Sequence, residues 1–206
     1  MTPSAACRST CIGVALALLV STAAAIELDV DAAKIDAALE IARKPEAERA
    51  AFHKPYVMAT STPIVERIEI ITEFRRLVTI AEARIADGDR FFARNTLAAQ
   101  EAIRPFQHHV SVVARVRFHP QNNYVVGPPV DVVLLDRFEP VPRLDLRSQT
   151  EFGFASGKPK PQLPVVGVTT ESVFDTDVVG QNYRTIVVRV ETKDVARLTV
   201  DFGRLR

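Results

Sequence analysis

Residues 110–118 read VSVVARVRF, and this stretch decides the fold class. Valine, alanine and phenylalanine at every second position alternate with Ser111, Arg115 and Arg117. That alternation is the period-two pattern of a strand with one buried face. Further valine-rich runs follow without helical stretches between them, so the second half of the chain predicts consecutive antiparallel strands.

Seven short strands are predicted in this second half. Residues 140–149 and 155–164 are rich in proline and polar residues, and we interpret both stretches as loops. Consecutive short strands favour a β-sandwich-like, immunoglobulin-like domain over residues 106–206. The predicted strands span residues 110–118, 130–135, 151–154, 165–170, 172–174, 185–191 and 197–202.

Helix-forming residues dominate the chain before Pro105, and they predict a helical region over residues 26–105. Residues 30–44 predict a short helix, and Pro45 begins another that runs to Phe52. The fold class is therefore predicted as α+β, and the sequence leaves open whether the helices form a separate domain. The apolar residues of the first helix share one face: Ile35, Leu39 and Ala42.

The longest helical pattern starts at Thr62, a predicted N-cap that Pro63 follows. Gly88 is predicted to end this helix in the left-handed conformation, and Asp89 to cap a second helix that ends at Pro105. Together they predict an antiparallel helical hairpin. Apolar residues recur along the first helix at steps of three and four: Ile64, Ile68, Ile71, Phe74, Val78, Ala81 and Ile85.

The N-terminal residues have the order of a cleavable export signal. Residues 12–20 form an apolar run, and Ala23 and Ala25 fit the A-x-A cleavage pattern, so we expect residues 1–25 to be removed. The run is shorter than the roughly 20 apolar residues of a spanning helix, and no stable membrane span is expected after cleavage. Lipidation is disfavoured because Cys7 and Cys11 both precede the run.

The composition of the remaining chain excludes several classes of site. It has no cysteine, so it forms no disulfide, thiolate metal site or cysteine nucleophile. Removal of Arg8 leaves equal numbers of basic and acidic residues, which disfavours binding to nucleic acid. Abundant arginine and alanine indicate a bacterial genomic base composition and say nothing about function. A hydrophobic content of 47% is enough for a sizeable core.

The four histidines predict no metal site. His108 and His109 are adjacent at a strand start, where their side chains point to opposite sides, and His53 and His119 are isolated in the sequence. Residues 175–180, DTDVVG, resemble the start of a calcium loop but lack its later oxygen ligands, so turn formation is the favoured interpretation.

Hydrolase motifs are also missing. Residues 153–157, GFASG, have the wrong spacing for a serine nucleophile elbow, and no zinc-protease motif is present. Acid pairs such as Glu139 with Asp145, or Glu171 with Asp175, are not selected by spacing alone. The sequence therefore assigns no catalytic, cofactor-binding or metal-ligating residue and predicts no cofactor.

By elimination, the sequence favours an exported, non-catalytic cell-envelope protein, periplasmic or secreted, that acts as a protein-binding or structural module. Its expected partner is an envelope or extracellular protein, to which the sheets offer strand edges and loops. Two alternatives stay open: an extracytoplasmic hydrolase whose acids only the fold brings together, and a small-ligand carrier with a cavity between helices and sheet.

Overall fold

The computed structural model describes residues 30–119, 121–122, 124–153 and 164–205. This part of the chain is α+β, as predicted, with five α-helices and nine strands in two antiparallel sheets. The predicted export signal and most of the predicted loop at 155–164 lie outside the described residues. None of the helices in the described ranges combines the length and the apolar character needed to cross a membrane.

The helical layer precedes most of the strands, and its first part matches the prediction. Asp31 accepts a hydrogen bond from the Lys34 N–H at 2.9 Å and so caps the first helix. The predicted face of this helix is buried against the third helix. The helices are α1 (Ala32–Ala42), α2 (Glu46–His53), α3 (Glu73–Ala86), α4 (Thr96–Ile103) and the short α5 (Thr176–Val179).

The strands form two sheets with the orders β1-β2-β3-β7-β6 and β5-β4-β8-β9. Side chains from both sheets contribute to one buried apolar cluster, so the sheets face each other across a shared core. The strands are β1 (Val57–Met58), β2 (Val65–Ile71), β3 (His109–Arg117), β4 (Val130–Asp136), β5 (Glu139–Pro140), β6 (Arg143–Phe152), β7 (Val165–Asp175), β8 (Tyr183–Val190) and β9 (Lys193–Asp201).

The predicted helix from Thr62 to Ile85 is wrong in its first half, because residues 65–71 form strand β2. The register against β3 shifts between Val65 and Arg67, and this bulge brings Val65 and Ile68 onto the buried face although they lie three residues apart. The predicted stripe placed Ile64, Ile68 and Ile71 on one helical face, but Ile64 is 41% exposed, Ile71 is half-buried and only Ile68 is fully buried. Thr72, not Thr62, is the N-cap of α3, and it accepts from the Arg75 N–H at 3.2 Å.

The end of α3 confirms the role predicted for Gly88, whose φ is +92°. The Gly88 N–H donates to the Ile85 carbonyl at 3.1 Å and the Asp89 N–H to the Arg84 carbonyl at 2.8 Å, which closes the helix in a Schellman motif. Asp89 accepts from the Phe92 N–H at 3.1 Å, but only a 3-10 turn at Phe92–Arg94 follows it. The second predicted helix is therefore shorter, and α4 begins after its own N-cap, Asn95.

Two predictions in the second half also need correction. Residues 143–152 form strand β6, which occupies most of the loop predicted at 140–149. Its first seven residues are exposed, and apart from Leu144 and Leu146 the sequence lacks the apolar alternation of a half-buried strand. Residues 165–175 form one continuous strand, β7, instead of two. Strands β1 and β2 extend the five-stranded sheet with residues that precede Pro105.

Candidate functional site

Two adjacent arginines at the start of α3 attach the helical layer to the five-stranded sheet. Arg75 is 6% exposed, and its guanidinium donates to the Ile70 carbonyl at 2.6 Å and to Glu69 Oε2 at 3.2 Å. Both acceptors lie on β2, directly before the helix. Burial lowers the pKa of Arg75, and the charge of Glu69 opposes that shift. The arginine thus fixes the angle at which the chain leaves the sheet.

Arg76 reaches farther across the same sheet. Its Nη2 donates to Ser111 Oγ on β3 at 2.6 Å and to Glu171 Oε1 on β7 at 2.9 Å. Desolvation opposes ionisation of Glu171, but hydrogen bonds from Ser111 and Arg76 outweigh it, so the pKa of Glu171 lies below its ordinary value. Helix α3 is therefore tied to three neighbouring strands.

His53, at the end of α2, belongs to the same interface. Its Nε2 lies 3.1 Å from Glu82 Oε2, and its Nδ1 accepts from Arg75 Nε at 3.3 Å. The arginine requires the Nδ1 lone pair, so Nε2 carries the proton and donates to Glu82. A cavity of about 440 Å³ adjoins these side chains. Both ring nitrogens are committed inside the protein, and this geometry gives no support to His53 as a general base.

The other residues that the sequence analysis weighed are not brought together. Among the described residues, no three His, Cys, Asp or Glu side chains are arranged to hold a metal ion. Asp175 accepts from the Asp177 N–H at 2.8 Å and caps α5, as the interpretation of a turn predicted. Asp145 pairs with Arg147 at 2.8 Å, and Glu171 pairs with Arg76. These acids meet arginines, not one another.

Strand β4 has an edge that the fold has closed. Strand β5 pairs only with its last two residues, yet the carbonyls of alternate β4 residues accept hydrogen bonds from outside the sheet ladder. The donors are two side chains of β7, in the facing sheet, and one backbone N–H after β5. The bonds are Thr170 Oγ1 to Val130 at 3.4 Å, Ser172 Oγ to Val132 at 2.9 Å and Val141 N–H to Leu134 at 2.8 Å.

Strand β6 has an edge of the opposite kind. It is the last strand of its sheet, and in the described ranges no strand pairs with its outer side. The Leu146 N–H donates to Asp145 Oδ1 at 2.8 Å, which places the backbone groups of Leu146 on that outer side. Backbone groups alternate along a strand, so Ser148 and Thr150 present theirs on the same side. The outer edge therefore carries a row of backbone groups with no strand beside them in the described ranges, and of these the Leu146 N–H already donates to Asp145.

The side chains of β6 add a partly apolar surface to this open edge. Leu144 is 54% exposed and Leu146 is 40% exposed. The neighbouring charges are already neutralised, since Arg143 pairs with Asp131 and Arg147 with Asp145. We call the outer side of residues 145–151 the β6 edge. It is suited to pair with another extended segment.

Sequence reasoning missed this edge because β6 was interpreted as a loop. The only sequence signal was the alternation of Leu144 and Leu146 with Arg143, Asp145 and Arg147. Comparisons with family models, with curated proteins and with solved structures give no match for this chain.

Proposed function

We propose that this protein is a non-catalytic binding module that holds an extended segment of a partner protein along the β6 edge. The observation that carries the proposal is the contrast between the two edges. Hydroxyl and backbone donors satisfy the β4 carbonyls, whereas the outer groups of Leu146, Ser148 and Thr150 have no strand beside them in the described ranges. Strand addition at such an edge supplies affinity through main-chain hydrogen bonds.

The contacts of α3 support a rigid edge. Arg76 holds β3 and β7, and β7 pairs with β6 along nearly its whole length. A strand that is ordered before binding loses little conformational entropy when the partner docks. Register shifts at both ends of β6 bound the regular stretch, so the proposed partner segment spans only a few residues. Its side chains next to Leu146 are apolar.

The setting of this activity is proposed from the sequence alone. Residues 1–25 are proposed to direct export, and the partner is proposed to be an envelope or extracellular protein that meets the module in the periplasm or outside the cell. We also propose that the two sheets work as an immunoglobulin-like sandwich, a scaffold that exposes strand edges without an active site.

A substitution on the edge itself tests the proposal. Ser148→Pro removes one outward N–H, and an edge strand tolerates proline where the N–H faces away from its neighbour. Ser148→Ala is the matched control, because it loses the same hydroxyl, which lies 3.1 Å from Thr170 Oγ1, but keeps the N–H. Tagged protein purified from the exported fraction of its native cell is compared for the proteins that it retains.

The proposal predicts a partner that wild type and Ser148→Ala retain equally and that Ser148→Pro loses by about tenfold or more, since a docking hydrogen bond and its geometry are lost. Circular dichroism checks that both variants stay folded. A partner retained equally by all three proteins contradicts docking at the β6 edge. So does the absence of any stoichiometric partner.

A further inference from the structure

A second cavity lies within the helical layer, and no residue of β6 lines it. It has a volume of about 410 Å³ and forms where the end of α1, the first half of α2, the last turns of α3 and residues 90–94 meet. We call it the arginine pocket. Its lining residues are Ala42, Arg43, Lys44, Arg49, Glu82, Ile85, Ala86, Arg90, Ala93 and Arg94.

The charge of this pocket is not balanced. Five basic side chains line it, against the single carboxylate of Glu82. Glu82 lies 3.6 Å from Arg49, but it also binds His53 at 3.1 Å, so it serves the helical interface as well. Lys44 has an exposed partner, Glu48, at 3.5 Å. The pocket keeps a clear excess of positive charge.

Three of the arginines have no carboxylate within ion-pair distance in the part of the chain that the structure describes: Arg43, Arg90 and Arg94. Arg43 donates through Nε to the Leu39 carbonyl at 3.1 Å, the role of a basic residue at a helix C-terminus. Arg90 and Arg94 make no comparable hydrogen bond to a helix carbonyl among the described residues. Arg49 adds a buried Nε that has no hydrogen-bond partner among the described residues. The guanidinium groups of Arg43, Arg90 and Arg94 are therefore exposed to solvent and open to an anion, and Arg49 Nε adds a buried donor.

The floor of the pocket is small and apolar. Ala42 and Ala93 are each 3% exposed, and Ile85 and Ala86 complete the surface between the arginines. Short side chains leave room above them, and the volume falls within the range of small-molecule sites. A ligand with a compact apolar or sugar body fits such a floor.

We propose that the arginine pocket binds a small organic phosphate. Forked guanidinium donors match phosphate oxygens, and three arginines without a carboxylate partner in the described ranges suit a dianionic phosphate monoester better than a single carboxylate. The phosphate lies between Arg43, Arg90 and Arg94, and the organic body covers the alanine floor. This activity is separate from strand docking, because no residue of the β6 edge lines the pocket.

Titration calorimetry of the purified protein at low ionic strength tests this site, with phenyl phosphate and inorganic phosphate as probes. Phenyl phosphate is expected to bind more tightly than inorganic phosphate. Arg90→Gln with Arg94→Gln is expected to weaken its binding by about tenfold or more, since hydrogen bonds to a charged ligand are lost. Arg104→Gln with Arg137→Gln removes the same charge outside the pocket and should leave the affinity unchanged.

A variant that removes negative charge from the pocket should have the opposite effect on binding. Glu82→Gln removes the only carboxylate of the pocket and releases Arg49, so phenyl phosphate should bind more tightly. No saturable binding of either probe overturns the site. If both double arginine variants weaken binding equally, binding reflects the overall charge of the protein and not this pocket. If phenyl phosphate and inorganic phosphate bind with equal affinity, the pocket does not recognise the organic body of the ligand.

Discussion

Strand β6 is the last strand of its sheet, and strand β4 has only the short β5 beside it, but the backbone groups along their edges have different partners. Ser172 and Thr170, both fully buried on β7, donate to β4 carbonyls, so that edge is closed from within the core. The β6 edge carries charges and bulges, which natural sheets use to discourage unspecific pairing, but no strand of the described residues pairs with its outer backbone groups. Changes at the closed edge should therefore alter stability, and changes at the open edge should alter binding.

The largest effect on stability is expected at Arg76, because it binds β7. Strand β7 donates hydroxyl hydrogen bonds to β4 and pairs with β6. Arg76→Met leaves Glu171 partly buried without its cation and Ser111 without its donor. The free energy of unfolding should fall by about 2–3 kcal/mol at neutral pH. Urea denaturation measures it. Arg104→Met, at an exposed arginine without an ion pair in the described ranges, is the control and should stay within about 0.5 kcal/mol of wild type.

Closure of the β4 edge is tested at Ser172. Ser172→Ala removes the donor to the Val132 carbonyl, which then lies in the core with that bond unmade. The free energy of unfolding should fall by about 1–2 kcal/mol. Ser148→Ala loses a hydroxyl on the exposed strand and should cost less. Equal losses from the two substitutions would show that the β4 edge depends no more on its hydroxyl donor than β6 does.

The ion pair between α3 and β7 should also appear in the pH dependence of stability. The pKa of Glu171 is depressed in the folded protein, so its contribution is complete above the unfolded pKa and is lost as the pH falls through the folded pKa. Wild type should therefore exceed Glu171→Gln in stability at neutral pH, and the gap should close in acid, below about pH 4. A gap that is independent of pH would contradict the ionised pair.

The smallest effect on stability is expected on the open edge. Leu146 is 40% exposed, so Leu146→Ala should change the free energy of unfolding by no more than about 0.5–1 kcal/mol. Its effect on partner retention should be larger than its effect on stability, because the leucine is proposed to pack on the docked segment. Retention equal to that of wild type would remove Leu146 from the docking surface.

The sequence predicted those elements whose local pattern and burial agree. Helix α1, strand β3 and the role of Gly88 were found because each has an apolar repeat or a turn requirement that one local explanation satisfies. Strand β2 was missed because Ile64, Ile68 and Ile71 recur at steps of three and four, as in a helix, although the structure buries only Ile68 fully. Strand β6 was missed because an exposed strand has no reason to alternate strongly.

The candidate surfaces could not be predicted from local sequence patterns, because their contacts join residues that are far apart in the chain. Arg76 lies 35 residues from Ser111 and 95 from Glu171, so only the folded chain shows their contact. The β4 edge likewise depends on hydroxyls that lie 40 residues away in the facing sheet. Such contacts follow from topology, and no spacing in the sequence reports them. The general expectation of strand edges offered to a partner stays a prediction.

Hydrogen exchange of backbone amides, compared between the isolated protein and the protein with its captured partner, tests the central claim most directly. The account predicts that exchange slows at the outward amides of Leu146, Ser148 and Thr150, while β9, the other long edge strand, keeps its rates. Protection confined to β9 or to the helical layer, with the β6 amides unchanged, would contradict docking on the β6 edge.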